Sequence, residues 1–409
     1  MKIAYIVPYV PNQIRTRSYN LITHLSRLGH EVDVFAVGSN HTDQQDAESL
    51  RSKCTKVVYY HQPLWRSLMN SLGASLTGKP LQTVYSWQPE LARCLIKLIM
   101  AKGSSQYDVI HVEHLRGSKY GVLLKSRFPN HTIVWDSVDC ISHLFKQASA
   151  QSVDLFGRLI TRFELERTRK MEEKLLDWFD HILVTSPVDR TALLSLAKNG
   201  MKLPPISVLS NGVDQDYFYP NPDIERDTET LVFSGKMSYH ANISMVRYLT
   251  TEIMPRIWKR RPAVRLYIVG KDPPSDIKGL ETNPLITVTG TVDDIRPFLW
   301  RATVSVVPLL YGAGVQNKIL EAMATGTPVV TTFKALSALQ VQTGKEILVA
   351  EDPNDYSQTV LRLIEDRNLQ HEIGDAGASY IKHNHSWMPI VSQLVDIYQQ
   401  TLNQKGNSF

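Results

Sequence analysis

A chain of 409 residues, 43% hydrophobic and 21% charged, is longer than a single core usually organises, so two domains are expected and disorder is excluded. Its three cysteines, Cys54, Cys94 and Cys140, stand far apart with no Cys/His spacing for zinc, which argues against a structural metal and for a reducing, cytoplasmic setting. The net charge of +5 is uneven: residues 1–205 hold 26 Lys+Arg against 18 Asp+Glu, and residues 206–409 hold 19 against 22. A basic first half suits anionic lipid headgroups or a phosphorylated acceptor as well as plain solvation. A nucleic-acid partner is not expected, because the acidic second half offers no basic face interleaved with aromatics.

The opening Met1-Lys2-Ile3-Ala4-Tyr5-Ile6-Val7-Pro8 has too short an apolar run for a signal peptide and reads as a first buried strand. No run of about 18 apolar residues appears that would cross a membrane. Short β-branched runs then alternate with amphipathic stretches, the pattern of parallel strands joined by crossover helices. In the first half strands are expected at 2–8, 31–37, 107–113, 131–136 and 180–186, and helices at 16–28, 90–103, 117–126 and 187–198. The stretch 64–69, Leu-Trp-Arg-Ser-Leu-Met ahead of Gly78-Lys79-Pro80, suits ordinary packing or a lipid-facing loop. The charged pattern 155–179 reads as a long helix with one buried seam, a membrane-surface helix being the alternative. After Pro204-Pro205 a second cycle follows, with strands at 206–209, 230–235, 264–269, 286–289, 303–307, 328–332 and 347–350. Helices are expected near 242–260, 293–301, 317–325, 336–342 and 353–383, and a last one with an apolar stripe at 386–404. The expected domains are 1–205 and 206–385, with 386–409 free to pack on either.

Ligands of open parallel sheets bind beyond the carboxyl ends of the strands, so the residues just after each strand are the candidates. Arg15 and Arg17 follow the first strand at a helix start, where they either meet an anion or form an exposed pair. No Gly-x-Gly-x-x-Gly stands there, which weakens a dinucleotide-redox reading. His111, Glu113 and His114 end one strand, and Asp136 and Asp139 end the next. Alternation sends Glu113 to the side of His111 and away from His114, and position favours a functional His114.

The second half carries the more specific signal. Ser234-Gly235-Lys236 gives a flexible turn followed by a cation, as a phosphate site needs. In the segment 308–323 Gly312 and Gly314 allow backbone N–H groups to approach a diphosphate, and the helix starting near Gln316 and Asn317 aims its positive end there. Lys318 and Glu321, three apart, share a helix face, one to hold phosphate and the other to accept from hydroxyls.

The segment Gly312-Ala313-Gly314-Val315-Gln316-Asn317-Lys318-Ile319-Leu320-Glu321 resembles the donor-binding signature of glycosyltransferase family 4. Asn211-Gly212-Val213-Asp214, Ser234-Gly235-Lys236-Met237 with Asn242, and Gly290-Thr291-Val292-Asp293-Asp294 with Arg296-Pro297 agree in order. Within the family the chain looks closest to a subgroup of bacterial exopolysaccharide clusters, through Arg17-Ser18-Tyr19, His111-Val112-Glu113-His114, Glu164 and Glu172, and Ser186-Pro187-Val188-Asp189.

The resemblance implies an α/β GT-B fold, two Rossmann-like domains facing across a cleft, and a retaining, metal-independent transfer from a nucleotide sugar, expected to be a UDP-sugar. Glu321 would hold the ribose hydroxyls; Lys236 and Lys318 with Gly235, Gly312, Gly314, Val315, Gln316 and Asn317 would hold the diphosphate; Thr291 would lie by the base. The first domain would hold a glycan or lipid-linked acceptor through Arg17, Glu113, His114, Asp136 and Asp139; its basic charge and the stretch 64–69, apart from the resemblance, leave peripheral contact with the inner face of a membrane open. The catalytic set would be His114, Lys236, Lys318 and Glu321. Two positions depart from the family pattern: Ala313 stands where many members have a first glutamate, and Gln13 stands where glycines are common. An epimerase or hydrolase on the same fold, or a non-catalytic nucleotide-sugar binder, are the alternatives.

Overall fold

Alternating β-branched runs and amphipathic stretches produce two wholly parallel sheets in this chain, seen in a computed structural model that describes residues 1–100, 107–151, 155–311 and 315–406. The chain divides into two units, Met1–Ser210 with Trp387–Phe409, and Asn211–Ser386.

The first unit contains β1 (Lys2–Val7), β2 (Glu31–Gly38), β3 (Lys56–His61), β4 (Val109–Glu113), β5 (Thr132–Val138), β6 (His181–Val184) and β7 (Ile206–Val208). Their order is β3-β2-β1-β4-β5-β6-β7, so the direction of winding reverses between β1 and β4. The second unit contains β8 (Thr230–Ser234), β9 (Arg265–Val269), β10 (Ile286–Gly290), β11 (Val304–Val307), β12 (Val329–Thr331) and β13 (Leu348–Val349). Their order is β10-β9-β8-β11-β12-β13, and the reversal falls between β8 and β11. A crevice opens where neighbouring crossovers leave in opposite directions, so the carboxyl ends of these two strand pairs are where each unit can take a ligand.

The cores explain the strand pattern. β1, β4 and β5 are covered on both faces, with Ile3, Tyr5 and Val7 in one layer and Ala4 and Ile6 in the other. The helix Trp387–Gly406 belongs to the first unit, where Ile390, Val391, Leu394, Ile397 and Tyr398 complete the layer that holds Ile3 and Tyr5. Among the described residues no helix is long and apolar enough to cross a membrane.

Several expectations are corrected. The strand at 206 was expected to open the second domain, but Ile206 pairs with Ile182 of β6, so the division falls after Ser210. The edge strand β3 and the helices His41–Leu50, Leu64–Thr77, Leu81–Tyr85 and Ile141–Gln151 were not expected. The stretch from Leu64 is neither a loop nor packed inward, since Leu64, Trp65, Leu68 and Met69 are exposed on a helix. The expected helix at 353–383 is two, Pro353–Glu365 and Arg367–Asn384, because Asp366 leaves the helical conformation and caps the second by accepting from the Leu369 N–H at 3.0 Å. The segment expected as a helix at 336–342 is a short 3-10 turn, Phe333–Ala338.

Candidate functional site

At the reversal point of the second sheet, three turns meet backbone to backbone. Gly235 follows β8 with φ 149° and Gly270 follows β9 with φ 150°, and a Cβ on Gly270 would lie 1.8 Å from the Gly235 carbonyl oxygen. Only glycine fits at that approach. The Gly270 N–H then donates to the Gly290 carbonyl at 3.2 Å, which fixes the turn that leads through Thr291. Thr291 itself is exposed.

The helix Asn317–Ala324 enters the same place from β11 and brings Lys318. The Lys318 Nζ donates to Asn242 Oδ1 at 2.5 Å and sits 4.5 Å above the Phe233 ring, while Asn242 Nδ2 donates to the Lys236 carbonyl at 2.8 Å. A Cβ on Gly235 would lie 3.0 Å from Lys318 Nζ, so the glycine gives this ammonium its room. Burial pushes the Lys318 ammonium down to about 7, although Glu321 opposes the fall. Burial likewise pushes the Glu321 carboxyl up to about 7, against the pull of Lys318. Among the described residues nothing donates a hydrogen bond to the Glu321 carboxylate. A buried ammonium aimed by Asn242 and a buried carboxylate with no donor on the same helix suit a ligand that supplies both a countercharge and hydroxyl donors. Lys236 is half-exposed, 3.7 Å from Asp272.

Gly312 and Gly314 lie outside the described residues. Val315 is buried in the core of the second unit, and Asn317 Oδ1 accepts from Asn211 Nδ2 at 3.2 Å. Gln316 is the N-cap position of the Lys318 helix. Asn242, quoted for the resemblance alone, proves to be the residue that aims Lys318. Its signal was its place in the first turn of the helix His240–Tyr248 that follows β8.

The first unit differs more from expectation. Arg17 Nε donates to Asp136 Oδ2 at 2.9 Å and its Nη1 to the Leu209 carbonyl at 3.0 Å, with 6% of Arg17 and none of Asp136 exposed. Glu113 is fully buried and accepts from the Tyr5 hydroxyl at 2.9 Å and from the Tyr9 hydroxyl. Burial, then the Asp136 charge, push the Glu113 carboxyl up to about 7. His111 stacks on Tyr5 at 4.2 Å, shares a 2.7 Å hydrogen bond with the Tyr398 hydroxyl, and is pushed down to about 4 by burial. Arg17 and Asp136 therefore pair inside the first unit, Glu113 is bonded there to two tyrosines, and Arg17 is not an exposed partner of Arg15. A charge withdrawn from water needs its partners inside, and here Arg17 and Asp136 supply them to each other while the tyrosines supply them to Glu113.

His114 and Asp139 remain at the strand ends. His114 is half-buried and takes φ 65°, a conformation that is uncommon for a residue with a side chain and persists only when surroundings enforce it. The Trp135 indole donates to its carbonyl at 3.3 Å, and burial, with Arg116, pushes its imidazole down to about 4, so it is neutral at pH 7. Asp139 follows a bulge in β5 at Val138, φ 68°. It accepts from the Thr185 hydroxyl at 3.2 Å and is pushed up to about 7 by burial and then by Asp189.

The remaining motifs hold the frame. Ser186 accepts from the Asp189 N–H at 3.1 Å as a helix cap, and Asp189 accepts from the Cys140 N–H at 2.9 Å. Glu172 accepts from the Ile141 and Ser142 N–H groups at 2.7 and 3.1 Å, closing the start of the helix Ile141–Gln151. Glu164 accepts from the Leu81 N–H at 3.0 Å. Among the described residues no group of three or more His, Cys, Asp or Glu side chains is placed to hold a metal ion.

Comparison with known proteins agrees with this fold. Residues 14–217 match the family described as Glycosyltransferase Family 4, and residues 228–366 match Glycosyl transferases group 1. A 44.6 kDa protein in the cps region of Klebsiella pneumoniae is 20% identical over 380 residues, 90% of this chain and 92% of that one. Among solved structures, sucrose-phosphate synthase from Thermosynechococcus elongatus superimposes with a TM-score of 0.69 at 20% identity, covering 99% of this chain and 100% of the other. HepE of Anabaena, in complex with UDP and glucose, superimposes with a TM-score of 0.67 at 15% identity, covering 98% and 100%.

Proposed function

Because this chain belongs to the family 4 glycosyltransferases, with two Rossmann-like units of GT-B type, we propose that it moves a sugar from a nucleoside diphosphate, UDP in the first instance, to a hydroxyl of a glycan or lipid-linked acceptor. The observation that carries the reading is the convergence of Gly235, Asn242 and Lys318, with Glu321 one turn further along the same helix, at the reversal point of the second sheet. Glu321 accepts from the ribose hydroxyls. Lys318 and Lys236, with the backbone of 312–317, hold the diphosphate, and the turn 290–294 lies by the base. The HepE complex with UDP and glucose supports a uridine nucleotide, and the cps-region relative supports a role in exopolysaccharide synthesis.

Cleavage of the bond from sugar to phosphate leaves positive character on the sugar and negative charge on the departing diphosphate. Cations and N–H groups already fixed in place stabilise that charge without reorganising, a contribution of several kcal/mol in a water-poor site. Lys318 fits this task better than Lys236, because its ammonium is buried and fixed whereas Lys236 is half-exposed. The first unit holds the acceptor beside His114, whose neutral imidazole can accept a proton or a hydrogen bond from a sugar hydroxyl. Attack comes on the face the diphosphate leaves, the diphosphate takes up the acceptor proton, and the anomeric configuration is retained. No metal is required for these steps, and the protein works in the cytoplasm.

Mass spectrometry of purified protein with a set of nucleotide sugars, with and without polyprenyl-diphosphate sugars, tests the reading. A glycosylated acceptor formed from one donor is expected. Consumption of the donor at the same rate without acceptor would instead identify a hydrolase or epimerase.

A further inference from the structure

The helix Leu64–Thr77 is built inside out. Its inward residues include Ser67 and Ala74, 3% and 2% exposed, whereas Leu64, Trp65, Leu68, Met69 and Leu72 are 60–63% exposed. Steps of one, three, four and eight residues place those five side chains on one stripe. The polar side is tied down. Gln62 Nε2 donates to Ser67 Oγ at 3.1 Å, Asn70 Nδ2 to the Trp87 carbonyl at 3.0 Å, and Arg66 Nη1 to Glu90 at 2.7 Å. Rotating the helix to bury its leucines would break all three bonds, so the stripe faces outward by construction. Single exposed apolar residues are ordinary, but a contiguous stripe of this size marks a surface that is covered in use.

The surroundings identify the cover. At the C-terminal end of this helix Gly78 lines one depression with Arg162, Phe163, Glu166, Arg167 and Lys170. Phe163 is 58% exposed, and Lys79, Arg162 and Lys170 are exposed beside it. Lys119, close enough to Lys79 for the two charges to repel, is pushed down to about 8 by burial and by that repulsion. Lipid phosphates would neutralise these cations.

We propose that the stripe Leu64, Trp65, Leu68, Met69 and Leu72, with Lys79, Arg162 and Lys170 at the C-terminal end of its helix, is the surface by which the first unit docks on a bilayer containing anionic phospholipid. The aliphatic side chains enter the headgroup boundary, Trp65 sits at its polar edge, and the cations meet lipid phosphates. The inference stands apart from the transfer reaction, since a chain that bound no nucleotide would dock equally well.

Sedimentation with vesicles of phosphatidylcholine alone, and of phosphatidylcholine mixed with phosphatidylglycerol, tests it. The intact protein is expected to pellet with the mixed vesicles and much less with phosphatidylcholine alone. Leu68→Ser with Leu72→Ser should lower the partition coefficient at least about ten-fold, and Lys79→Glu with Lys170→Glu should remove the preference for the mixed vesicles. Both variants change exposed side chains, so an unaltered thermal midpoint and unaltered UDP binding verify the fold. Pelleting of the double-serine variant equal to that of the intact protein would overturn the proposal. So would a lipid-free dimer in sedimentation equilibrium that the double-serine variant dissolves, because the stripe would then cover a second copy.

Discussion

Replacing Lys318 by Met separates a ligand-binding lysine from a structural one, because the two roles move stability differently. Lys318 is 8% exposed, and burial lowers the pKa of its ammonium from 10.5 to about 7. Between pH 7 and 10.5 the unfolded chain therefore binds this proton more tightly than the folded chain. The residue opposes folding fully below the folded value, and that opposition fades as the pH rises through the window. Methionine keeps most of the volume and removes the charge, and the Glu321 carboxyl left beside it can take up a proton, so Lys318→Met is predicted to leave the stability of the nucleotide-free protein at neutral pH unchanged or raised, by up to about 4 kcal/mol. The same change removes a charge-assisted contact to the diphosphate of about 1.5–3 kcal/mol, and UDP affinity should fall about ten- to hundred-fold. Calorimetric titration with UDP and urea denaturation without nucleotide read the two quantities. A variant that bound UDP as tightly as the intact protein, or that lost stability together with affinity, would refute the reasoning.

Other outcomes follow from the same geometry. UDP affinity should peak near pH 7: below it Glu321, raised to about 7, takes a proton and ceases to accept from the ribose, and above it Lys318, lowered to about 7, loses the charge the diphosphate needs. Titrations across that range check both limbs, and Glu321→Gln should abolish the acidic one. Gly270→Ala places a Cβ 1.8 Å from the Gly235 carbonyl oxygen at φ 150°, and should destabilise the second unit by more than about 2 kcal/mol in urea denaturation. Tyr398→Phe removes the hydroxyl 2.7 Å from His111 and should lower first-unit stability by about 1–3 kcal/mol while leaving UDP binding unchanged. His114→Ala should abolish transfer to acceptor in the mass-spectrometric assay and keep UDP affinity within about two-fold, because its side chain lies in the unit that does not hold the nucleotide.

The fully apolar strands were legible because a strand buried on both faces shows a continuous β-branched run with glycine or proline beside it, as in Thr230–Ser234 before Gly235 or Val304–Val307 before Pro308. The edge strand Lys56–His61 was not, since one side of it has no neighbouring strand and its ends are a lysine and a histidine. The helix Leu64–Thr77 escaped because the rule that apolar residues face inward assigns its stripe to the wrong side. Lys318 and Glu321 were readable from their spacing beside glycines. The buried network was not. Arg17 meets Asp136 across 119 positions and His111 meets Tyr398 across 287, and no local periodicity encodes pairs so distant. Isolated polar residues at strand ends look alike in a sequence whether they face a ligand or each other. Strand order decided the matter, by bringing β1, β4 and β5 side by side.

The most direct test of the account is the structure of the whole chain with UDP bound. The diphosphate is expected within hydrogen-bond reach of Lys318 Nζ and over the first turn of the helix Asn317–Ala324, with both ribose hydroxyls on Glu321. A nucleotide found elsewhere, or a Lys318 still bonded only to Asn242 with UDP saturating, would contradict the central claim.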